Sequence, residues 1–352
     1  MGPVIAGAVD MAAVERWMDS AGLGTGPLAG VELMAGGTQN VLVRFSRGGR
    51  GFVLRRPPPH KRPNSDETMR REARVLAGLA GSGVPHPRLI AACDDLDVIG
   101  AVFYLMEPVA GFTPTVTRPA FLDDHASQRA MALAVVDALA AIGRVDVADA
   151  GLAALGRAEG WLERQVGRWT SQLESYAKFP AWSPAGLPDT AALRGWLAAN
   201  RPPTWSAGLI HGDYHLANVM ISQNGPQVAA VVDWELATVG DPLVDLGQLL
   251  ATWCEDDGTA TASTVLGLPG FPRRAELVAR YGAGSVRDLS FVGWYHALAC
   301  YRLGVLLEGT HARSTAGQAD RDSGQRMRQM ATALFEQGLT IAAGHRNLGH
   351  GP

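Results

Sequence analysis

One polar segment in the second half of the chain constrains its fold more than any other part. It consists of His211-Gly-Asp213-Tyr-His-Leu-Ala-Asn218 and lies between two short β-like runs, Leu209-Ile210 and residues 228–232. The sequence around these runs is rich in Ala and Leu at helical spacing. Short apolar strands can hold polar side chains on a rigid support inside such a region. We therefore expect a polar loop on a small sheet that is built into a mainly helical lobe.

The first third of the chain has a different character from the rest. Short apolar runs separated by Gly- and Pro-rich turns predict strands at 31–34, 41–45, 52–54, 84–91 and 102–106. A short helix is expected at 10–20, and a second one runs from 64 to about 81, with Asn64 and Glu67 as a capping box at its start. From Pro108 onward, helical periodicity predicts helices at 124–142, 157–178, 189–199, 274–282, 289–308 and 323–343.

These patterns together predict an α+β fold with two lobes. A small antiparallel sheet with one inserted helix would form the N-terminal lobe, residues 1–107. A large, mainly helical lobe would follow at 108–352 and would contain the polar segment.

Composition argues against several classes of function. Of the 352 residues, 47% are hydrophobic and 18% are charged, and the net charge of -3 leaves no electrostatic footprint for nucleic acid or an anionic membrane. The three cysteines, Cys93, Cys254 and Cys300, are far apart, which favours a reducing compartment over a disulfide framework. The chain does not begin like a signal peptide, and the apolar stretch 131–142 is too short and too charged to span a bilayer. We expect a cytoplasmic protein with no nucleic-acid or membrane partner, whose oligomeric state the sequence leaves open.

The polar segment carries the residue types that phosphoryl transfer from ATP requires. A carboxylate must orient the acceptor hydroxyl and take its proton, while a carboxamide and a second carboxylate hold magnesium ions. Asp213 and Asn218 have the spacing of a kinase catalytic loop, and Asp233 follows at the end of the next apolar run. A single Asp or Asn in a loop is more often a turn or cap residue. The ordered set from His211 to Asp233 favours the catalytic interpretation.

A metal-hydrolase site made of His211, Asp213 and His215 is an alternative that these ligand types allow. It lacks a third, remote histidine at a suitable spacing. The sequence also contains no P-loop and no nucleophile-elbow motif, which disfavours those two enzyme classes.

The polar segment also resembles a known family. Together with Asp233 and Gly240-Asp241-Pro-Leu-Val-Asp245-Leu, it looks like the aminoglycoside phosphotransferase and choline kinase superfamily. The resemblance is closer to the branch that includes the kinase-like domains fused to some acyl-CoA dehydrogenases, and it extends from about residue 30 to 340. The features typical of that branch are Val53-Leu-Arg-Arg-Pro57, Gly83-Val-Pro-His-Pro87, Phe103-Tyr-Leu-Met-Glu107, Arg164-Gln165 with Arg168-Trp169, and the segment Tyr301–Gly309.

This resemblance implies a protein-kinase-like fold and a role for each residue of the polar segment. Asp213 resembles the catalytic base, and Asn218 and Asp233 resemble the magnesium ligands. His211 would brace the catalytic loop by hydrogen bonds. The two later acidic residues, Asp241 and Asp245, admit structural roles as well: Asp241 would start a turn, and for Asp245 we favour capping or pinning a helix.

The N-terminal lobe is implied to bind the nucleotide. The loop between its first two strands would cover the ATP phosphates with Gly36, Gly37, Thr38 and Asn40, because glycines let backbone N–H groups approach an anion closely. Arg55 lies where kinases usually carry the phosphate-binding lysine, and Glu72 would be its ion-pair partner. Arginine keeps the charge but changes reach and geometry, which puts full activity in doubt.

A hinge at 106–109, with Glu107 and Val109, would contact the adenine through its backbone. The expected function is transfer of the ATP γ-phosphate, with Mg²⁺, to a hydroxyl of a small molecule. The branch suggests a hydroxyacyl-CoA or hydroxy acid as acceptor, and the superfamily name suggests an aminoglycoside. A nucleotide-binding pseudokinase with a regulatory role is the alternative that Arg55 favours, and a protein kinase is a weaker one.

Overall fold

The computed structural model of the chain describes residues 4–5, 9–34, 40–115, 119–255 and 268–348. In order, the elements of the N-terminal lobe are β1 (Val4–Ile5), β2 (Val9–Asp10), α1 (Met11–Ser20), β3 (Ala29–Leu33), β4 (Val41–Arg47), β5 (Arg50–Arg56), α2 (Ser65–Gly78), β6 (Leu89–Cys93), α3 (Leu96–Ile99) and β7 (Phe103–Met106). Strands β3 to β7 form one antiparallel sheet in the order β3-β4-β5-β7-β6. Its last strand in the chain ends at Met106, the first residue of the predicted hinge.

The two faces of this sheet are covered by different helices. Phe52 and Leu54 of β5 pack with Phe45 and with buried residues of α1. Because side chains alternate along a strand, Arg55 points to the opposite face. Helix α2 covers that face, where Tyr104 of β7 belongs to the same apolar core as the helical lobe. The alternation of β5 therefore directs a single arginine side chain toward α2.

The elements of the C-terminal lobe are β8 (Gly111–Phe112), α4 (His125–Gly143), α5 (Glu163–Glu174), α6 (Thr190–Ala199), β9 (Gly208–Ile210), β10 (Val219–Ser222), β11 (Val228–Val231), β12 (Thr238–Gly240), α7 (Leu243–Thr252), α8 (Arg274–Ala283), α9 (Val292–Thr315) and α10 (Arg321–Leu348). Helix α9 lies at the centre and packs against α5, α6, α7 and α10. The polar segment connects β9, which pairs with β12, to β10, which lies between β8 and β11. It therefore joins two small sheets, as the sequence predicts in outline.

Several elements differ from their predicted bounds for local reasons. The strand predicted at 84–91 begins only at Leu89, because Pro85 and Pro87 have no N–H group to donate to a ladder. Helix α5 is shorter than predicted and ends at Glu174, where a turn of 3₁₀ helix follows. The capping box was a wrong prediction, since the Asn64 side chain makes no capping hydrogen bond. Helix α7 was not predicted at all.

One helix among the described residues, α4, is long and apolar enough to cross a membrane by length and composition alone. Its residues Met131, Val135 and Leu139 are buried in the core of the lobe. The helix packs against α7, α8, β9 and β11. Packing inside the C-terminal lobe therefore accounts for its apolar character.

Candidate active site

The loop of residues 211–218 begins with a turn that only glycine can make. Gly212 has a φ of +86°, and a Cβ atom at this position would lie 2.5 Å from the carbonyl oxygen of Leu236. A residue with a side chain would meet both the conformational penalty and the clash. This turn sets the direction in which Asp213 leaves the backbone.

Asp213 is the centre of a hydrogen-bond network. Gln248 Nε2 donates to its Oδ1 over 2.7 Å, and Asn218 Nδ2 donates to its Oδ2 over 3.1 Å. His215 Nε2 also lies 3.3 Å from Oδ2, and the side chain of Asp213 is 34% exposed. Burial would raise the pKa of Asp213, but the hydrogen bonds from His215 and Gln248 and the charge of Arg302 hold it well below its usual range. The carboxylate is therefore ionised at neutral pH.

His211 lies beneath the loop and is fully buried. Its Nε2 donates to the carbonyl of Val232 over 2.9 Å, and its Nδ1 accepts the N–H of Asp213 over 3.2 Å. Burial lowers the pKa of His211 to about 4, so the ring is neutral and both nitrogens are used within the protein. The metal-hydrolase alternative thus loses one of its three ligands, while His211 connects the loop to the residue before Asp233.

The two later acidic residues have different roles from each other. Asp245 is fully buried, and its carboxylate accepts the N–H groups of His211 and Gly212 over 2.6 and 2.9 Å. Burial raises the pKa of Asp245 to about 7, although these two hydrogen bonds oppose the shift. Asp245 does not cap α7; it pins this helix to the backbone of the loop, which is the second of the two predicted roles. Asp241 does hold a turn, because it accepts the N–H of Leu243 over 3.1 Å.

Asp233 lies at the junction of the two lobes. Its φ of +66° makes it the only non-glycine residue with positive φ in the described part of the chain, a conformation that Asp tolerates and that is common at functional sites. Arg55 Nη2 lies 2.8 Å from Asp233 Oδ1 and 2.9 Å from Glu72 Oε1. The predicted ion pair between Arg55 and Glu72 is therefore present. Burial would lower the pKa of Arg55, but these carboxylates outweigh it and keep the guanidinium charged.

A group of three carboxylates surrounds this arginine. Glu72, Asp233 and Glu235 each offer an oxygen, and these atoms all lie within 4.8 Å of one another; no other such group of acidic, His or Cys side chains occurs among residues that the structure describes. Burial raises the pKa of Glu72 to about 7, and burial together with the charge of Asp233 raises that of Glu235. Carboxylate oxygens are the ligands that Mg²⁺ prefers. The surplus of negative charge over the single guanidinium fits a cation at this position.

The phosphate loop of the N-terminal lobe falls largely outside the described residues. This applies to Gly36, Gly37 and Thr38, whereas Asn40 is described and directly precedes β4. The prediction that these residues cover the ATP phosphates stays a prediction.

Side-chain and backbone contacts hold the predicted hinge in place. Glu107 Oε1 lies 3.1 Å from Arg50 Nη2 and 3.7 Å from Arg88 Nε. The backbone N–H of Glu107 donates to the carbonyl of Arg88 over 2.9 Å, so it is used within the lobe. The carbonyl of Val109 accepts the N–H of Gly111 over 3.1 Å. These contacts fix the position of the hinge, and its contact with adenine stays a prediction.

A cavity of about 430 Å³ lies beside the 211–218 loop. Its walls include Gly212, Glu235 and three arginines from different helices, Arg71, Arg168 and Arg302, with the indole rings of Trp161 and Trp169. The guanidinium groups of Arg168 and Arg302 lie 5.0 and 5.4 Å from the ring centre of Trp169. A larger cavity of about 710 Å³ lies elsewhere in the lobe, but neither the Gly212 turn nor Glu235 lines it. The smaller cavity is therefore the candidate acceptor site.

Sequence reasoning gave no role to Gln248 or Arg302, which contact the loop directly. Gln248 lies three residues after Asp245, on the same face of α7, so its position was readable once that helix was recognised. Arg302 stands within the segment Tyr301–Gly309, which the sequence analysis associated only with the branch.

Comparison with known proteins identifies the family. The model of a family described as "Phosphotransferase enzyme family" matches residues 30–282. The chain belongs to this family. A curated relative agrees with the resemblance of the sequence: the chain is 29% identical over 321 residues to acyl-CoA dehydrogenase family member 11 of Gallus gallus. That match covers 89% of this chain but 40% of the relative, so the chain spans less than half of that protein.

Solved structures of phosphotransferases confirm the fold. A candidate aminoglycoside phosphotransferase of Ralstonia eutropha superposes with a TM-score of 0.79 at 29% identity, covering 94% of this chain and 99% of that one. A thermostable mutant of the aminoglycoside phosphotransferase APH(4)-Ia, in ternary complex with AMP-PNP and hygromycin B, superposes with a TM-score of 0.62 at 16% identity, covering 94% and 99% of the two chains. The α+β, two-lobed, kinase-like architecture is therefore established for this member of the family.

Proposed function

We propose that the protein transfers the γ-phosphate of ATP to a hydroxyl group of a small anionic molecule. The observation that carries this proposal is the arrangement of Asp213, which is ionised, partly exposed and held by hydrogen bonds next to Gly212, a residue that lines the 430 Å³ cavity. Asp213 accepts the proton of the acceptor hydroxyl while the oxygen of that hydroxyl forms the new bond to the γ-phosphorus. The bond from that phosphorus to the bridging oxygen breaks, and ADP leaves.

The donor groups near Asp213 fit a nucleotide with magnesium. Asn218 and Asp233 would hold the metal, with Glu72 and Glu235 adding carboxylate charge close to it. Bound Mg²⁺ would neutralise charge on the phosphates. Arg55 would contact a phosphate oxygen, for which its fork of N–H donors is suited. In this proposal the loop with Gly36, Gly37, Thr38 and Asn40 and the backbone of Val109 complete the nucleotide site.

The charges of the cavity support an anionic acceptor. Of the described residues that line it, three are arginines and only Glu235 is acidic. No salt bridge joins Arg168 to a carboxylate within the described chain, so its charge is available to a ligand. Two leucines of the wall, Leu236 and Leu306, are 50% and 41% exposed, which suits an acceptor with an apolar part. A hydroxy acid or a hydroxyacyl-CoA combines these properties.

An aminoglycoside is the second candidate acceptor. It is suggested by the solved aminoglycoside phosphotransferases that share this fold. Such polycations would meet three like charges in this cavity, and like-charge contacts weaken binding strongly. We therefore rank an anionic acceptor above it. The pseudokinase alternative rests on Arg55 alone, and the pairing of Arg55 with both Glu72 and Asp233 keeps its guanidinium in the position that a phosphate-binding lysine would need.

The test is release of ADP from magnesium-ATP with a panel of hydroxy acids, hydroxyacyl-CoAs, aminoglycosides and choline. The Asp213→Asn variant should lose turnover by at least about a hundredfold. Asp137→Asn is the matched control, because the Asp137 carboxylate forms a surface ion pair with Arg280 and is not one of the groups that hold Asp213. Turnover on an aminoglycoside alone would overturn the anionic acceptor, and nucleotide binding without turnover on any acceptor would support the pseudokinase.

A further inference from the structure

We infer that Gln248 is a positioning residue that binds one oxygen of Asp213, so that the other oxygen receives the proton of the acceptor. This inference rests on the proposed function, because it assigns a role to the hydrogen bond on the proposed base. Gln248 Nε2 lies 2.7 Å from Oδ1 of Asp213, and Gln248 is fully buried. A buried hydrogen bond to a charged partner is short and directional, so it fixes the rotation of the carboxylate.

The second oxygen of the carboxylate has different surroundings. Oδ2 accepts a hydrogen bond from Asn218 Nδ2 over 3.1 Å and lies 3.3 Å from His215 Nε2. Both distances are longer than the 2.7 Å between Oδ1 and Gln248 Nε2. His215 is itself 28% exposed. A carboxylate oxygen can accept more than one hydrogen bond. Oδ2, which has the longer contacts and a partly exposed neighbour, is therefore the oxygen that receives the acceptor proton, while Oδ1 stays bound to the buried Gln248.

Arg302 determines which way the Gln248 carboxamide faces. Its Nη1 donates to Gln248 Oε1 over 2.6 Å, and its Nη2 donates to the carbonyl oxygen of Gly212. An arginine offers only donors, so the oxygen of the carboxamide must face Arg302 and the NH₂ group must face Asp213. The chain Arg302–Gln248–Asp213 thus has a single hydrogen-bonding direction.

Helix α7 is close enough to support this chain because of Gly247. A Cβ atom there would clash with the carbonyl oxygen of Tyr295 on α9. The absence of a side chain lets the two helices approach, and Gln248 on α7 can then contact Arg302 on α9. One turn before Gln248, Asp245 holds the backbone N–H groups of His211 and Gly212. A single face of α7 therefore fixes both the backbone of the loop and the carboxylate.

The experiment compares Gln248→Met with Gln128→Met. Both residues are buried helical glutamines, and the Gln128 carboxamide also makes two hydrogen bonds, to the backbone of Leu122 and Gly270. Each variant is measured for melting temperature, for nucleotide KM and for kcat with magnesium-ATP and the acceptor that gives turnover. We expect Gln248→Met to lower kcat ten- to hundredfold with a KM for ATP within twofold of wild type, and Gln128→Met to leave kcat within twofold.

Two further variants separate positioning from a structural effect. Gln248→Glu keeps a partner for Arg302 but opposes Asp213 with a like charge, so kcat should fall at least as far as in Gln248→Met. In the Asp213→Asn background, Gln248→Met should change the residual rate by less than twofold, because the oxygen it positions no longer acts as a base.

The outcomes are distinct. If the wild type turns over an acceptor and Gln248→Met keeps more than half of the wild-type kcat, the inference is overturned and the proposed function is not. An equal loss of kcat in the Asp213→Asn background would also overturn it, since a structural role would act there too. Absence of wild-type turnover on any acceptor would overturn the proposed function and the inference together.

Discussion

The guanidinium of Arg55 and the carboxylate of Asp233 are in direct contact, with 2.8 Å between Nη2 and Oδ1. One residue comes from the sheet of the N-terminal lobe and the other from the loop after β11. The same nitrogen lies 2.9 Å from Oε1 of Glu72 on α2. The position at which kinases carry a lysine therefore binds both carboxylates through a single nitrogen of the guanidinium.

Replacement of Arg55 should weaken nucleotide binding. We expect Arg55→Met to raise the Kd for magnesium–AMP-PNP about tenfold or more, because a charge-assisted contact with phosphate is lost and Glu72 and Asp233 keep their repulsion. Titration calorimetry measures this change. Arg70→Met is the control on α2, since Arg70 pairs with the exposed Glu67 and Asp94 at the surface. Unchanged affinity in Arg55→Met would contradict the phosphate-binding role.

Gly212→Ala should destabilise the protein and remove its activity. The added methyl group requires a left-handed backbone and lies 2.5 Å from the Leu236 carbonyl, so we expect a loss of roughly 2 kcal/mol or more in the free energy of unfolding. Gly167→Ala on α5 is the control. Nothing lies within 4 Å of its added Cβ, and alanine in an exposed helix should stabilise by about 0.5–1 kcal/mol. Equal unfolding curves for both variants would refute the turn argument.

His211 should make the protein less stable as the pH falls. Burial lowers its pKa to about 4 from the ordinary 6.5, so between these values the unfolded chain binds a proton that the folded protein does not. The contribution of His211 to the free energy of unfolding therefore falls with decreasing pH, by about 3 kcal/mol in total at roughly 1.4 kcal/mol per unit. Urea unfolding at pH 7, 6 and 5 in wild type and His211→Gln measures the difference.

The stability advantage of wild type over His211→Gln should shrink at each lower pH. Other buried groups, such as Asp245, have pKa values shifted the other way, but they are present in both proteins and cancel in the comparison. Parallel curves for the two proteins would contradict this prediction, because they would mean that the pKa of His211 is the same in the folded and the unfolded state.

Arg168 should determine how well an anionic acceptor binds. We expect Arg168→Gln to raise the KM for a hydroxy acid or hydroxyacyl-CoA about tenfold and to leave the KM for ATP unchanged, because a cation at the cavity wall is removed. Arg164→Gln is the control on the same helix, since Arg164 binds the backbone carbonyls of Arg157 and Glu159. An equal effect of the two variants would place the acceptor elsewhere.

The predictable parts of the site were those that are local in sequence. Asp213, Asn218 and Asp233 lie within a stretch of 21 residues, and their spacing alone indicates phosphoryl transfer. The ion pair of Arg55 with Glu72 was implied by the resemblance to kinases, with one residue at a strand end and the other on the next helix. The fold was predictable to the same degree, because the change from strand to helix patterns marks the lobes.

The unpredicted parts depend on contacts between distant residues. Gln248 meets Asp213 across 35 positions, and Arg302 meets Gln248 across 54. Helix α7 is only ten residues long and almost completely buried, so it shows no alternation of polar and apolar faces that would reveal a helix. The partners of Asp245 were not predictable for the same reason, since they are backbone N–H groups that no side-chain pattern records.

The close approach of α7 and α9 at Gly247 has a consequence for comparing related chains. Where a relative carries a larger residue at this position, the two helices must separate, and a glutamine that follows can no longer contact the arginine of α9. The glycine, the glutamine and the arginine should therefore be inherited as a set, and their joint presence would mark the members in which the base is held in this way.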